Sequence, residues 1–239
     1  MQILSLIDPI QDFTKFRTIF PQKVPLNRGE TQYQQYTTTS TAATTPLPTI
    51  TNPIFGVDLS THLESTQTQT PIVVDKCIEA IESIGINTAG LYRISGISST
   101  IAQLKTQFDM NQLPDLTRTD IHNVTGLLKL YLRQLPNPLF TNELYNEFVS
   151  AQGFQGKSKV IKVHEVVNKL PDSHYATLRV LMKHLKKVVE MEHATKMGVS
   201  NLAIVFGPTA VCVKGFEGDY LIQSKIFEIV LENYNDIFE

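Results

Sequence analysis

Arg93 stands between two glycines in the run Gly90-Leu-Tyr-Arg-Ile-Ser-Gly96. Glycine populates backbone conformations that strain other residues, so a segment bracketed in this way can turn tightly and approach another molecule closely. A guanidinium stays charged and presents planar, forked donors suited to phosphate or carboxylate oxygens, whereas lysine keeps the charge but loses the fork. Taken alone, such an arginine is either a solvated charge on an ordinary turn or a cation held out to a partner. Three further features bear on the choice. Lys129 and Arg133 lie four residues apart in Leu127-Leu-Lys-Leu-Tyr-Leu-Arg-Gln-Leu-Pro-Asn-Pro138, a spacing that puts both cations on one face of a helix. Pro138 closes that run, and Asn201 opens Asn201-Leu-Ala-Ile-Val-Phe-Gly-Pro208. By themselves the two cations also read as solvated helix charges, Asn201 as a helix cap and Pro138 as a helix stop.

Self-contained catalysis finds little support. There is no Gly-x-x-x-x-Gly-Lys-Ser/Thr loop to cradle a nucleotide, so the chain is not expected to hydrolyse one by itself. His164-Glu165 is followed by Asn168 where a zinc-binding His-Glu-x-x-His helix needs a second histidine, and His62, His122, His174, His184 and His193 show no ligand spacing with cysteines or acids. Ser95 lacks the preceding glycine that would make a nucleophile elbow. No metal or cofactor of its own is expected.

Bulk properties narrow the partner. With 21 Lys and Arg against 23 Asp and Glu, the net charge of -2 gives no basic excess of the kind that nucleic acid or an anionic membrane surface would attract. Lys183, Lys186 and Lys187 form a small cluster, but on a helix whose other face is apolar, which reads as a solvated face. Cys77 falls in an apolar helical pattern and Cys212 follows a Gly-Pro break, so both are expected to be reduced packing residues in a cytoplasmic protein. The opening residues do not form a signal peptide, and no apolar stretch approaches the roughly 20 residues of a membrane span.

The elements that must position these residues follow from periodicity. Residues 1–30 contain Ile10, Phe13, Phe16 and Phe20 at spacings of three and four, an amphipathic segment that either packs on the domain or ends a neighbouring one. Residues 31–54 are rich in Thr, Gln and Pro and poor in aliphatic side chains, the composition of a disordered linker. From residue 55 to 239 the pattern is helical with little sustained alternation, which predicts an all-α domain. One helix is expected from Thr70-Pro71, with Val74, Ile78, Ile81 and Ile84 on its buried face and Gly85 as its exit; a second has Thr100 and Gln103 as a capping box and Ile101, Leu104 and Phe108 as its stripe. A third runs from Ile121 to Leu135, with Val124, Leu128, Tyr131 and Leu135 buried and Pro136-Asn-Pro138 as its stop. Val160, Val163, Val167 and Leu170 mark the next. Ser173 starts a long one carrying Leu178, Leu181, Leu185 and Val188. Ser200 caps a further helix that Gly207-Pro208 ends, and Leu221 to Phe238 forms the last.

The glycine-bracketed arginine, the Leu-Lys-Leu-Tyr-Leu-Arg run and the Asn-Leu-Ala run, in that order, resemble the RhoGAP domain, the GTPase-activating domain of Rho-family regulators, over about Phe55 to Glu239. That resemblance implies a chain that completes the active site of a GTP-bound Rho, Rac or Cdc42-type GTPase, with GTP and Mg²⁺ held by the partner. Arg93 would be a finger reaching the β and γ phosphates, and its carbonyl would help hold the glutamine that orients the attacking water. Lys129 would face the switch regions, Arg133 would brace the finger loop, Asn201 would hydrogen-bond a switch and Pro138 would belong to the interface. The resemblance also implies a monomeric isolated domain that relies on other domains of a longer protein for recruitment to membrane or cytoskeleton. A non-catalytic binding or scaffold module of the same fold is the alternative, and members of that kind typically lack the loop arginine. Gln134 and Asn137 stand where the family commonly has acids, and Thr195 replaces its usual asparagine before Lys-Met. These departures bear on interface strength and GTPase preference and leave the finger in place.

Overall fold

The computed structural model describes residues 53–211 and 220–239. The amphipathic segment expected in residues 1–30, Cys212 and all but the last two residues of the expected linker lie outside them. Every regular element among the described residues is helical, as the periodicity requires.

Ile54, one residue before the expected start of the domain, is buried and its amide is held. The carboxylate of Asp109 accepts from the backbone N–H groups of Ile54 at 2.8 Å and Phe55 at 3.0 Å and pairs with Lys105 at 2.5 Å, so this buried charge is satisfied on several sides. Helix α1, Leu59–Thr66, is capped by Asp58 and joined to the later α7 through the Ser60 and Ser173 hydroxyls, 2.6 Å apart. Its sequence is mostly polar, so periodicity did not single it out.

Helix α2 spans Ile72–Ala80 and continues as a wider π-type turn over Ile81–Gly85. A π turn holds more residues than an α turn and rotates those after it around the axis. Val74 and Ile81 are fully buried as expected, while Ile84, predicted for the same face, is 53% exposed. Gly85 ends the turn for a reason of space, since a Cβ there would lie 2.2 Å from the side chain of Ile121.

Helix α3, Ser98–Asp109, starts before the expected capping box and has no side-chain cap; the loop enters it through the Ile97 N–H, which donates to Asn123 Oδ1 at 2.7 Å. Helix α4, Ile121–Gln134, is capped by Asp120, which accepts from the His122 N–H at 2.8 Å. Its stripe of Val124, Leu128 and Tyr131, together with Leu135 just beyond it, is buried, and α4 packs against α2, α3 and α9 in the centre of the domain.

Helices α5 (Tyr145–Gln152), α6 (Gly156–Val167), α7 (Asp172–Glu190) and the single turn α8 (Glu192–Thr195) lead to α9 (Val199–Ala210), α10 (Tyr220–Glu232) and α11 (Tyr234–Phe238). Three expectations fail here. Ser200 does not cap α9, which begins after Gly198; the Ser200 hydroxyl donates to Glu228 instead, at 2.5 Å. Nor does Gly207-Pro208 end α9. The helix runs through Pro208, whose missing amide deprives the Ile204 carbonyl of its usual donor. Tertiary packing overrides that local cost: a Cβ at Gly207 would lie 2.6 Å from Ser224 Cα, so the glycine lets α9 lie directly on the α10 backbone. The Phe206 and Phe227 rings stack across this contact at 5.6 Å. The single closing helix expected to Phe238 is broken at Asn233, whose side-chain amide donates to the Ile229 carbonyl at 2.8 Å and satisfies the end of α10.

Gln223 of α10 is fully buried, and neither its amide nitrogen nor its amide oxygen has a hydrogen-bond partner among the described residues. An unsatisfied buried polar group costs about 1–3 kcal/mol. Gln223→Met, similar in volume and unbranched, is therefore expected to raise the stability by about 1–2 kcal/mol in a denaturant titration. An unchanged or lowered midpoint would show that the amide is not a burden.

Candidate functional site

The segment containing Arg93 is held at its backbone and open at its tip. Gly90 adopts a φ of +72°, and its N–H donates to the Thr195 carbonyl at 2.7 Å. Its own carbonyl accepts from both the Arg93 and Ile94 N–H groups, at 2.8 and 2.9 Å, closing a tight turn. Gly96 has a different task from the conformational one expected: a Cβ there would lie 2.6 Å from the His122 carbonyl and from Asn123 Oδ1, so this glycine lets the loop seat on the start of α4. Arg93 is exposed, and among the described residues its guanidinium makes no hydrogen bond or ion pair.

Tyr92 bears the conformational load. Its φ is +67°, a left-handed value that is costly for a bulky side chain, yet the residue is completely buried. Its carbonyl accepts from Lys129 Nζ at 2.6 Å. Its ring meets the Phe206 ring of α9 edge-on at 4.9 Å, and its hydroxyl lies 2.7 Å from His184 Nε2. His184 Nδ1 is 2.9 Å from Glu82 Oε1, and the other Glu82 oxygen pairs with Lys187 at 2.5 Å. The hydrogen bond from His184, aided by Lys187, holds the Glu82 carboxyl down to about 2, so it is ionised and can only accept. His184 therefore carries its hydrogen on Nδ1, and neutral Nε2 accepts from the Tyr92 hydroxyl.

The remaining expected residues fall in three different situations. Lys129, expected to face the partner's switch regions, is half-buried and holds the Arg93 loop at the Tyr92 carbonyl; burial, with the nearby Arg133 charge, lowers its pKa. Arg133, expected to brace that loop, is exposed and makes no hydrogen bond or ion pair among the described residues. Asn201 is exposed in the first turn of α9, and its amide donates to the Lys196 carbonyl at 3.2 Å, across the turn that begins at Thr195. Thr195 is itself buried: its hydroxyl donates to the Met191 carbonyl and accepts from the Met197 N–H, both at 3.1 Å. The departure from asparagine at 195 thus keeps a side-chain group that organises the turn receiving Gly90. Pro138 is buried, and its carbonyl accepts from the Thr141 N–H at 2.9 Å, so it shapes the turn after α4 and presents little surface.

Three segments far apart in sequence therefore share one end of the domain through the finger loop: Lys129 through Tyr92, and Asn201 through Thr195 and Gly90. Among the described residues no group of three His, Cys, Asp or Glu side chains is placed to hold a metal, and no helix is long and apolar enough to cross a membrane. The arrangement offers two exposed guanidinium groups, those of Arg93 and Arg133, that make no hydrogen bond or ion pair among the described residues. Nothing local in the sequence marks Glu82 or His184 as neighbours of the Arg93 loop, and for Tyr92 the only signal is its adjacency to Arg93.

Residues 71–214 match the family described as the RhoGAP domain. The chain belongs to that family. This RhoGAP domain is 38% identical over 200 residues, 77% of the chain, to Rho GTPase-activating protein 32 of Xenopus laevis, and 39% identical over 199 residues, again 77%, to Rho GTPase-activating protein 31 of Homo sapiens. It spans only 10% and 14% of those proteins. It is also 39% identical over 195 residues to beta-chimaerin of Rattus norvegicus, covering 77% of this chain and 66% of that one. Among solved structures, human Rho GTPase activating protein 15 matches with a TM-score of 0.76 at 35% identity, covering 80% of this chain and 94% of the other. Helix α1 precedes the matched family segment and is part of the same core.

His62, His174 and His184 are buried, and burial holds each below the ordinary histidine value of 6.5. Because the folded values are depressed, the unfolded RhoGAP chain takes up these protons first, and the stability contribution is full above 6.5 and declines as pH falls below it. Denaturant midpoints measured downward from neutral pH are expected to fall across that window. A midpoint that stays flat would contradict the burial of neutral imidazoles.

Proposed function

We propose that this domain accelerates GTP hydrolysis by a Rho-family small GTPase, of the Rho, Rac or Cdc42 type, by inserting Arg93 into the partner's active site. The observation that carries this reading is the unpaired, exposed guanidinium on a backbone fastened at Gly90 and Tyr92. The partner supplies GTP, Mg²⁺ and the attacking water, and the domain supplies a positive charge where negative charge develops on the phosphoryl oxygens. A finger of this kind is worth about 10³–10⁵ in rate in the Ras system, or roughly 4–7 kcal/mol of transition-state stabilisation. Fixing the loop before the encounter avoids part of the ordering cost of association.

Lys129 serves the finger from inside the domain. One of its three N–H donors goes to the Tyr92 carbonyl and the others are left for the partner's switch region. Asn201 and Arg133, both exposed, contribute binding contacts, and buried Pro138 contributes by the shape of its turn. The alternative of a binding module without acceleration is disfavoured by Arg93 itself, since non-catalytic members of this fold typically lack the loop arginine.

Single-turnover GTP hydrolysis by purified Rho, Rac and Cdc42 proteins, with Ras as control, tests the reading. Arg93→Ala is expected to bind the GTPase with similar half-saturation while losing about 10³-fold or more of the acceleration at saturation. A variant that retains full acceleration would remove Arg93 from the chemistry. Asn201→Ala is expected to raise the half-saturation concentration more than it lowers the rate at saturation; an unchanged titration curve would exclude Asn201 from the contact.

A further inference from the structure

We infer that His184, its ring oriented by Glu82, is a positioning residue for the arginine finger, acting through the Tyr92 hydroxyl. The inference rests on the proposed role of Arg93 and adds residues from two other parts of the chain, α7 and the π-type turn after α2. Its basis is a continuous line of contacts. The Glu82 carboxylate, on the π-type turn after α2, accepts from His184 Nδ1–H on α7 at 2.9 Å. His184 Nε2 in turn accepts from Tyr92 O–H at 2.7 Å, and the Tyr92 backbone leads directly to Arg93. The side chain of His184 is 1% exposed, so the imidazole is too enclosed to meet a partner and acts only on its neighbours.

Three physical points make this more than core packing. First, Tyr92 holds a left-handed backbone that an unconstrained tyrosine would leave, so some interaction must keep it there. The edge-on contact with Phe206 holds the ring but is compatible with rotation of the loop about it, whereas a hydroxyl bonded at 2.7 Å fixes how far the ring is inserted. Second, the imidazole is itself oriented, because ionised Glu82 selects the Nδ1–H tautomer and leaves Nε2 as the acceptor. A ring in the other tautomer would present N–H to the tyrosine and leave the carboxylate without its donor. Third, Lys187 holds the second Glu82 oxygen, so the carboxylate cannot swing away freely. Lys129 secures the carbonyl side of Tyr92 and the His184–Glu82 pair secures the side-chain end. Arg93 is thus carried on a residue clamped at both ends. An error of about 1 Å in the placement of a reacting group can cost about 10²-fold in rate.

The test uses Tyr92→Phe, which removes one hydroxyl and keeps the ring, together with His184→Gln and His184→Asn. A glutamine at 184 can place its amide oxygen near the position of Nε2 and still accept from Tyr92, while an asparagine reaches only the Nδ1 position. In single-turnover assays, Tyr92→Phe and His184→Asn are expected to lower the rate at saturating domain by about ten- to a hundredfold, with half-saturation unchanged to within about twofold. His184→Gln is expected to retain most of the rate, a rescue that a purely structural role would not produce. Amide hydrogen exchange reports on the loop without any GTPase: exchange at the Arg93 and Ile94 N–H groups should quicken in Tyr92→Phe and His184→Asn while exchange within α10 stays unchanged. Wild-type rates and wild-type loop exchange in Tyr92→Phe would overturn the inference, as would equal losses in the Gln and Asn variants. If Arg93→Ala keeps its acceleration while loop exchange still responds to Tyr92→Phe, the finger reading fails and the clamp stands as a property of the loop alone.

Discussion

The backbone of Tyr92 determines where Arg93 can be. A left-handed conformation at a bulky residue costs of order 1–3 kcal/mol, and it persists only where the surroundings over-determine it. Here they do so from several directions. Gly90 closes the turn on one side, Lys129 holds the carbonyl, Phe206 and His184 enclose the side chain, and Gly96 seats the far end of the loop on α4. The strain is placed at Tyr92, the residue before Arg93, and the Arg93 side chain itself is exposed.

The rest of the domain can be read as the frame that this turn requires. Helix α4 passes through the centre and supplies Lys129 at one side and Asn123 near its start, both bonded to the finger loop. Helix α7 carries His184 on its buried face, and α9 carries Phe206 inward and Asn201 outward. The close approach of α9 to α10 at Gly207 keeps α9 helical through Pro208. A bulkier residue at 207 would displace α9, and with it the ring that supports Tyr92. Function at the loop therefore depends on packing well removed from it.

Much of this was legible beforehand where the physics is local. The stripes of α4 and α7 fall on buried positions because a 3.6-residue period is imposed by the helix itself. Arg93 could be singled out because glycines on both sides of a charged residue restrict what the segment is for. Two of the misreadings share a cause. Ser200 is a good cap by residue type but donates to Glu228 on another helix; Pro208 is a good stop by residue type but is overridden by the α9–α10 contact. Ile84 belongs to the right stripe for an α-helix, and the π turn moves it to the surface. For Ser200 and Pro208 a partner remote in sequence outweighed a local preference of about 1 kcal/mol or a few.

The sequence by itself determined that the domain is helical, where most of its helices run, and that an arginine stands on a glycine-bracketed turn, because periodicity and residue chemistry are written in neighbouring positions. Only the tertiary structure decided that Lys129 turns inward while Arg133 faces out, that Gly96 serves close packing, and that Tyr92 meets His184 from 92 residues away. Those outcomes depend on distances between segments that fold against one another, and such distances leave no pattern in either segment alone.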